Sequence, residues 1–219
     1  MRLFAVADLH GDFSVFEEVG SGDVVIVAGD VASRGEPFED LQEAANRLRK
    51  VCSRAQVFFA SGNHDTFLKR DASGRHCIEK IKLASLMAGV DGFRALDGLN
   101  PSCLVGTIKV SGFEWQQSRG RAYRRIFEEN PDAYAGTDIL VMHCPPKVDR
   151  GRLRDESGTL RRIVMAINPK MVICGHEHHP CGDGRFTIGD IPVFCLPKIL
   201  HEVKIVSNKF HVERVAING

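Results

Sequence analysis

The sequence predicts a mixed α/β fold in a single domain, and two features of the chain carry that prediction. Apolar runs of strand length alternate with longer stretches in which apolar residues recur at helical spacing. From Arg185 onward only short apolar segments and turns follow, which is typical of antiparallel strands. Of the 219 residues, 43% are hydrophobic and 26% are charged, which is a globular composition. Because no Ser/Gly-rich linker divides the chain, we expect one domain over residues 1–219.

The first part of the chain predicts three strands and two helices. Arg2–Ala7, Asp23–Ala28 and Gln56–Ala60 are rich in β-branched or aromatic residues, which indicates buried strands. Glu36–Arg54 has a polar and an apolar face at a period of 3.6 residues, so we expect an amphipathic helix there. The spacing of apolar residues in Cys77–Met87 predicts a second helix.

The same alternation continues through the second part. Cys103–Phe113 predicts two strands or one bent strand, and Arg119–Glu129 predicts a helix. We then expect a strand at Asp138–Met142, a helix at Gly158–Ile167 and a strand at Lys170–Cys174. The C-terminal segments predicted as antiparallel strands are Phe186–Gly189, Val193–Leu196, His201–Ser207 and Phe210–Ala216.

Charge and cysteine content narrow the classes of partner. Lys and Arg number 29 against 28 Asp and Glu, so the net charge of +1 argues against broad binding to nucleic acid or to a membrane surface. No apolar run reaches about 18 residues, and the start of the chain lacks a signal-peptide pattern. Seven cysteines without a CxxC pair indicate reduced thiols, and we expect a cytoplasmic protein. The sequence indicates no particular oligomeric state.

Five short polar motifs each follow a predicted strand. They are Asp8-Leu9-His10, Gly29-Asp30, Gly62-Asn63-His64-Asp65, Met142-His143-Cys144-Pro145-Pro146 and Gly175-His176-Glu177-His178. Because ligands of open α/β sheets bind at the carboxyl ends of strands, we expect these loops to meet at one place. Carboxylate, imidazole and amide oxygen are suitable ligands for Mn, Fe or Zn, and they differ from the thiolate set of a structural zinc site.

The number of candidate ligands indicates two metal ions. The seven candidates are Asp8, His10, Asp30, Asn63, His143, His176 and His178. Seven side chains are too many for one transition metal that also binds water, whereas two ions that share one carboxylate would use them all. Two ions about 3.5–4 Å apart would acidify a shared water and clamp a phosphoryl group during in-line displacement.

This series of motifs resembles the calcineurin-like metallophosphoesterase superfamily. DLHGD, GD, GNHD, HCPP and GHEH occur in the order of that family between Asp8 and His178. The resemblance implies a four-layer α/β/β/α sandwich of two mixed β-sheets flanked by helices. It also implies hydrolysis of small phosphate mono- or diesters by a hydroxide that bridges two divalent ions. Mn is the first candidate for those ions, with Fe, Zn, Ni and Co as alternatives.

The resemblance also implies a role for each motif residue. One metal would take Asp8, His10 and His178, and the other would take Asn63, His143 and His176. Asp30 would bridge the two ions. His64 would protonate the leaving alkoxide, and Asp65 would orient the His64 ring.

One further motif leaves the branch of the superfamily open. Gly29–Gly35 is similar to the GDxxDRG signature of phosphoprotein phosphatases, in which the arginine binds phosphate, so Arg34 is a candidate phosphate ligand. Ser33 replaces the second aspartate of that signature, and His143–Pro146 is more similar to small bacterial-type enzymes. A Ser/Thr protein phosphatase is therefore one alternative within the enzymes, and a nuclease is another. A non-catalytic scaffold with the same fold is the alternative outside them.

The basic stretch Arg119–Arg125 has two interpretations. It contains four arginines and no acidic residue, which is compatible with a solvated helix face. It is also compatible with a rim that attracts an anionic substrate, where Tyr123 or Trp115 would offer a stacking surface.

Overall fold

The computed structural model describes residues 1–33, 38–70, 72–73, 77–116, 119–150, 157–178, 184–206 and 209–215. Two six-stranded sheets account for most of the strands. Among the described residues, no helix combines the length and the apolar character needed to span a bilayer.

The first sheet combines strands from both ends of the chain. In spatial order it contains β14 (Lys209–Arg214), β13 (His201–Val206), β1 (Leu3–Val6), β2 (Val24–Val27), β3 (Gln56–Phe59) and β6 (Phe93–Ala95). Strands β1, β2, β3 and β6 run parallel, whereas β13 and β14 are antiparallel to their neighbours. The C-terminal hairpin therefore completes the sheet that the N-terminus begins.

The second sheet is built from the later part of the chain. In spatial order it contains β11 (Arg185–Ile188), β12 (Ile191–Cys195), β10 (Met171–Cys174), β9 (Ile139–Met142), β8 (Ile108–Phe113) and β7 (Ser102–Val105). Its four central strands are parallel, and the edge strands β7 and β11 are antiparallel. A separate hairpin joins β4 (Thr66–Arg70) to β5 (Cys77–Lys82).

The helices cover the outer faces of the two sheets. They are α1 (Phe38–Cys52), α2 (Leu83–Leu86), α3 (Arg119–Glu129) and α4 (Gly158–Ile167), with 3-10 turns at Ser14–Glu18 and Pro131–Tyr134. Helix α4 has clear end signals, since the Ser157 side chain accepts a hydrogen bond from the N–H of Leu160 and Asn168 closes the helix with φ of 52°.

Side chains that alternate between the two faces of each strand produce the layers. In β2, Val25 and Val27 pack with α1, whereas Ile26 points into the core between the sheets. In β9, Val141 shares that central core, whereas Leu140 packs with α4 on the other side. Both faces of the central strands are thus buried, which explains their unbroken apolar sequences. The four-layer α/β/β/α sandwich expected from the sequence is confirmed.

One predicted helix is wrong over most of its length. The range Cys77–Met87 contains strand β5 and then a single helical turn, α2. Its apolar residues are spaced as in a helix, but the hairpin pairs Ile81 with Phe67 of β4, and both pack on the core beside α1. Cross-strand packing outweighs the local spacing here. The short strands β4 and β6 were not predicted.

The predicted antiparallel C-terminal part is correct only in part. Strands β11 and β12 pair antiparallel, as do β13 and β14. Strand β12 also pairs parallel with β10, which adds it to the central part of the second sheet. The helices at Arg119–Glu129 and Gly158–Ile167 have the predicted bounds.

Candidate metal centre

All five motifs lie at the carboxyl ends of parallel strands. β1, β2 and β3 of the first sheet lead into Asp8, Asp30 and Asn63, while β9 and β10 of the second lead into His143 and His176. The carboxyl ends of these strands lie at the same edge of the sandwich, so the loops from both sheets converge there.

The first group of ligand atoms joins two loops of the first sheet to the last motif. Ligand atoms of Asp8, His10, Asp30 and His178 all lie within 4.8 Å of one another. The Nε2 atoms of His10 and His178 are 2.9 Å apart. His10 Nδ1 lies 3.1 Å from the carbonyl oxygen of Ser33, and an N–H at Nδ1 would leave the Nε2 lone pair directed at the centre.

The second group lies deeper in the protein and surrounds His143. Its Nε2 atom is 3.2 Å from Asp30 Oδ2, 3.1 Å from His176 Nδ1 and 3.1 Å from Asn63 Oδ1. Its Nδ1 atom lies 2.8 Å from the carbonyl oxygen of Ala28, which fixes the orientation of a fully buried ring. The structure thus brings all seven predicted ligands together.

Asp30 belongs to both groups. Its Oδ1 atom accepts a hydrogen bond of 2.8 Å from the backbone N–H of His64. Its Oδ2 atom lies 3.2 Å from His143 Nε2 and 4.0 Å from His10 Nε2, between the two sets of imidazoles. This is the position that a shared carboxylate would occupy.

Asp8 shows that the donor set fits a cation. The residue is 1% exposed, and its Oδ1 atom accepts a hydrogen bond of 3.0 Å from the N–H of His176. The buried Oδ2 atom has no hydrogen-bond partner among the described residues. A buried carboxylate oxygen without a partner is costly, and a metal ion at the first group would satisfy it.

The backbone at the centre is strained. Four of the five described non-glycine residues with positive φ are ligand candidates: Asp8 (55°), His10 (46°), Asp30 (56°) and His176 (73°). Left-handed backbone costs roughly 1–2 kcal/mol for a residue with a Cβ atom, and it persists only where neighbouring structure imposes it. Here the loops are joined directly, since the N–H groups of Asp8 and His10 donate to the carbonyls of Gly29 and Asp30.

Glycines allow these loops to approach each other. A Cβ atom on Gly29 would lie 2.6 Å from the N of Gly62, and one on Gly62 would overlap the Asp30 carboxylate. A Cβ atom on Gly175 would lie 2.6 Å from the Cβ of Ala7. The glycines of three motifs are therefore required for close backbone contact and not only for turning.

Asp65 has partners that the sequence did not indicate. The side chain is fully buried and accepts hydrogen bonds from the N–H groups of Asp30 (2.7 Å), Val31 (2.8 Å), Ala32 (3.1 Å) and Gly62 (2.8 Å). Its carboxylate thus joins the Asp30 loop to the GNHD loop. These hydrogen bonds fix the backbone of both loops, and the expected role of Asp65 in orienting the His64 ring stays a prediction.

Comparison with known families agrees with this geometry. A family model described as calcineurin-like phosphoesterase matches residues 1–180, which include all five motifs. The chain belongs to the calcineurin-like phosphoesterase family. The resemblance drawn from the motifs is therefore confirmed.

Two curated relatives of this phosphoesterase-family chain are longer proteins. UPF0046 protein T07D4.2 of Caenorhabditis elegans is 26% identical over 212 residues, covering 83% of this chain and 52% of that protein. Probable rhamnogalacturonate lyase C of Emericella nidulans is 28% identical over 195 residues, covering 81% of this chain and 17% of that protein. The chain thus spans about half the length of the first and about a sixth of the second.

Solved structures of other proteins share the fold. TT1561 of Thermus thermophilus superposes with a TM-score of 0.66 at 11% identity, covering 97% of this chain and 98% of that chain. Phosphopantetheinyl hydrolase of Mycobacterium tuberculosis superposes with a TM-score of 0.54 at 15% identity, covering 89% and 88%. At these identities the likeness concerns the fold alone.

Burial and mutual charge shift the pKa values of the side chains in the candidate metal centre. Burial raises the pKa of Asp8 to about 7. Burial alone would raise the pKa of Asp30, but the His143 imidazolium outweighs it and lowers that pKa to about 2. Burial alone would lower the pKa of His143, but the Asp30 carboxylate raises it to about 9. Without metal, a buried ion pair between Asp30 and His143 therefore takes the place of cation binding.

The predicted catalytic residues occupy different positions. The half-buried His64 ring lies at the edge of the centre, with Nε2 3.9 Å from Asp30 Oδ2 and the ring centroid 5.0 Å from that of His10. Arg34 lies outside the described residues. Its predicted contact with phosphate stays a prediction.

Arginines of the basic stretch form ion pairs with glutamates of the same helix, α3. Arg124 and Arg125 are exposed and lie 3.7 Å and 3.5 Å from Glu128 and Glu129, one helical turn later. Tyr123 is fully buried, and its hydroxyl accepts a hydrogen bond from the N–H of Gln116. This tyrosine offers no stacking surface, and the solvated-face interpretation describes α3 better.

The Asp65 contacts predict that Asp65→Asn destabilises the fold and weakens metal binding. The NH₂ group of asparagine would face two backbone N–H donors that now donate to a carboxylate oxygen. Each N–H group left without an acceptor would cost about 1–3 kcal/mol. We expect the free energy of unfolding to fall by about 2–6 kcal/mol in urea titrations. Asp97→Asn is the control, because Asp97 uses one oxygen for its two backbone hydrogen bonds. Equal stability of the two variants would contradict this role of Asp65.

The pKa shifts predict that metal binding releases protons. At pH 7 the metal-free protein carries a proton on His143, and Asp8 is protonated in about half of the molecules. Because both side chains bind a metal only when deprotonated, loading should release between about one and two protons. Calorimetric titration with Mn²⁺ in two buffers of different ionisation enthalpy measures this number, which should decrease toward about pH 9.5. A heat of binding at pH 7 that is independent of the buffer would refute the expectation.

Proposed function

We propose that this chain is a dinuclear metal-dependent phosphoesterase that hydrolyses small phosphate mono- or diesters. The observation that carries the proposal is the shared position of Asp30, whose carboxylate belongs to two adjacent groups of metal-binding side chains. The first group would hold one divalent ion through Asp8, His10, Asp30 and His178. The second would hold another through Asp30, Asn63, His143 and His176.

Two divalent ions bound there would supply an acidified water. Their positive charge would offset the negative charge of the phosphoryl group. The mixture of imidazole, carboxylate and amide donors suits Mn first, and Fe, Zn, Ni or Co as alternatives. The protein's own contribution is orientation. The Ala28 carbonyl fixes the His143 ring, and Asp65 fixes the backbone that carries Asp30.

His64 is proposed as the general acid. Its backbone N–H is bonded to Asp30 Oδ1, while its half-buried ring lies beside the candidate ligands. A proton delivered from this ring to the leaving oxygen would avoid the release of a basic alkoxide. Asp65 supports this role indirectly, because it holds the loop on which His64 is carried.

Two alternatives, a Ser/Thr phosphatase and a non-catalytic scaffold, depend on different features of the structure. A Ser/Thr phosphatase is supported by the Gly29–Gly35 motif and depends on Arg34. A scaffold without activity would have no need for four strained ligand residues or for the unpartnered Asp8 Oδ2 atom. These two features favour an enzyme.

The setting of the activity is also a proposal. Residues 1–219 would act as one domain, which is supported by the pairing of β13 with β1 in the first sheet. Among the described cysteines, Cys52, Cys77, Cys103, Cys174 and Cys195 are free thiols, which supports a reducing, cytoplasmic location. The proposed partner is a small phosphate ester, without nucleic acid or membrane.

A direct assay tests the proposed reaction. The protein reconstituted with Mn²⁺ should bind two ions per chain and hydrolyse p-nitrophenyl phosphate or bis-p-nitrophenyl phosphate, and the ratio of the two rates separates a monoesterase from a diesterase. Asp30→Asn should lose most of its bound metal and at least about a thousandfold in kcat/KM. The exposed Asp132 provides the matched control, Asp132→Asn, which should retain both. Full activity of Asp30→Asn would exclude the shared-carboxylate model.

The acid role of His64 predicts a dependence on the leaving group. His64→Ala should lower kcat about 10²–10⁴-fold for esters of alkyl alcohols, which leave as basic alkoxides. The loss should be much smaller for p-nitrophenyl esters, because p-nitrophenolate leaves without a proton. Rates for a series of aryl and alkyl phosphates, plotted against the pKa of the leaving alcohol, give the comparison. The same loss across the series would assign His64 to metal binding or charge stabilisation instead.

A further inference from the structure

A cavity of about 630 Å³ lies between β5, α2, β6 and the end of β8, and we call it the side cavity. Polar and apolar side chains line it, among them Lys82, Met87, Phe93, Arg94, Asp97 and Glu114. These residues come from the end of β5, from α2 and the residues after it, from β6 and the loop that follows, and from the end of β8. Its volume lies within the range of about 300–1,000 Å³ that is usual for small-molecule sites.

Two backbone hydrogen bonds connect segments of the cavity wall to the GNHD loop. The N–H of Leu83, which follows Lys82, donates to the carbonyl of Asp65 over 2.9 Å. The N–H of Trp115, which follows Glu114, donates to the carbonyl of Ser61 over 2.9 Å. The loop that carries Asn63 and His64 is therefore bonded at both ends to residues that adjoin the cavity wall.

The wall of the side cavity is polar but electrically balanced. Lys82 Nζ lies 2.5 Å from Glu114 Oε2, and this partly buried pair joins the β4–β5 hairpin to the second sheet. Arg94 is exposed and has no ion pair among the described residues. Asp97 uses Oδ1 to accept the N–H groups of Leu99 and Asn100. Two cations and two carboxylates favour hydroxyl groups and other neutral polar groups over a second phosphate.

We propose that the side cavity binds the alcohol part of the substrate, and that this alcohol is a hydroxyl-rich compound of nucleoside or disaccharide size. The inference rests on the proposed function, in which His64 delivers its proton to the leaving oxygen. The group attached to that oxygen must then extend past His64, and the side cavity adjoins the same loop. Arg94, Asp97 and the Lys82–Glu114 pair offer donors and acceptors to hydroxyl groups, while Phe93 and the exposed Leu99 offer apolar surface.

Substrate selectivity tests this assignment. Mn²⁺-reconstituted protein is assayed with p-nitrophenyl phosphate as reference and with the phosphate monoesters and methyl phosphodiesters of adenosine, uridine and trehalose. The measured quantity is kcat/KM for the preferred polar ester divided by kcat/KM for the reference. The ratio should fall at least tenfold in Arg94→Met and in Ala88→Trp. Ala88 is an exposed residue of the cavity wall, and tryptophan at this position would fill the cavity. An unchanged ratio in both variants would overturn the assignment.

A matched control separates the side cavity from general attraction of anions. Arg124→Met removes another exposed arginine, from α3, and the ratio should stay within twofold of the wild-type value. A fall in Arg124→Met equal to that in Arg94→Met would point to the basic helix and refute the side cavity. Melting temperatures of all variants verify that the comparison concerns folded protein.

A binding measurement keeps this inference separate from the proposed reaction. Adenosine, uridine and trehalose are titrated into metal-free protein and followed by NMR chemical shifts. Binding to the wild type that is weakened at least tenfold in Arg94→Met supports the side cavity even if no ester is hydrolysed, and in that case only the proposed reaction fails. Absence of binding by all three, together with no preference among the esters, would refute the class of alcohol.

Discussion

The Asp65 carboxylate is the interaction on which the rest of the centre depends. It is fully buried, and it accepts N–H groups from the loop after β2 and from the loop after β3. These bonds fix the backbone of Asp30, and Asp30 in turn contributes to both groups of ligands. A small shift of this backbone would move the one carboxylate that both groups share. The position of the centre is thus determined one layer away from the ligands themselves.

The electrostatics of the buried side chains explain why such a centre favours cations. Asp8, Asp30 and Asp65 are all at most 1% exposed, and His143 is the buried imidazole beside them. Burial and mutual repulsion raise the pKa of Asp8 and of Asp65, while the ion pair with His143 keeps Asp30 ionised. One imidazolium compensates only part of this buried negative charge. Divalent cations would stabilise all the carboxylates and would release the proton from His143.

The sequence was sufficient to predict that the candidate ligands meet at one place, because each motif combines a strand end with a distinctive polar group. Asp8 and His176 could be placed at one site without knowing the sheet order, since parallel strands end at the same edge. The role of Asp65 could not be predicted in this way, because its partners Asp30–Ala32 are more than thirty residues away in the chain. The strand Cys77–Lys82 escaped prediction for the same reason, since its pairing with β4 is a tertiary contact that local spacing does not reveal.

In the proposed function, the chemistry and the recognition of the alcohol depend on different strands. The ligands follow the central strands β1, β2, β9 and β10, together with β3, where both faces are buried and the backbone has little freedom. The side cavity lies farther out, at edge strand β6 and at β8, where loops and one-turn helices meet solvent. A change in the outer loops alters the shape offered to an alcohol without moving Asp30 or His143, because no hydrogen bond from the cavity wall reaches the ligand side chains in the described structure. Selectivity can therefore vary on this fold while the chemistry of the centre stays the same.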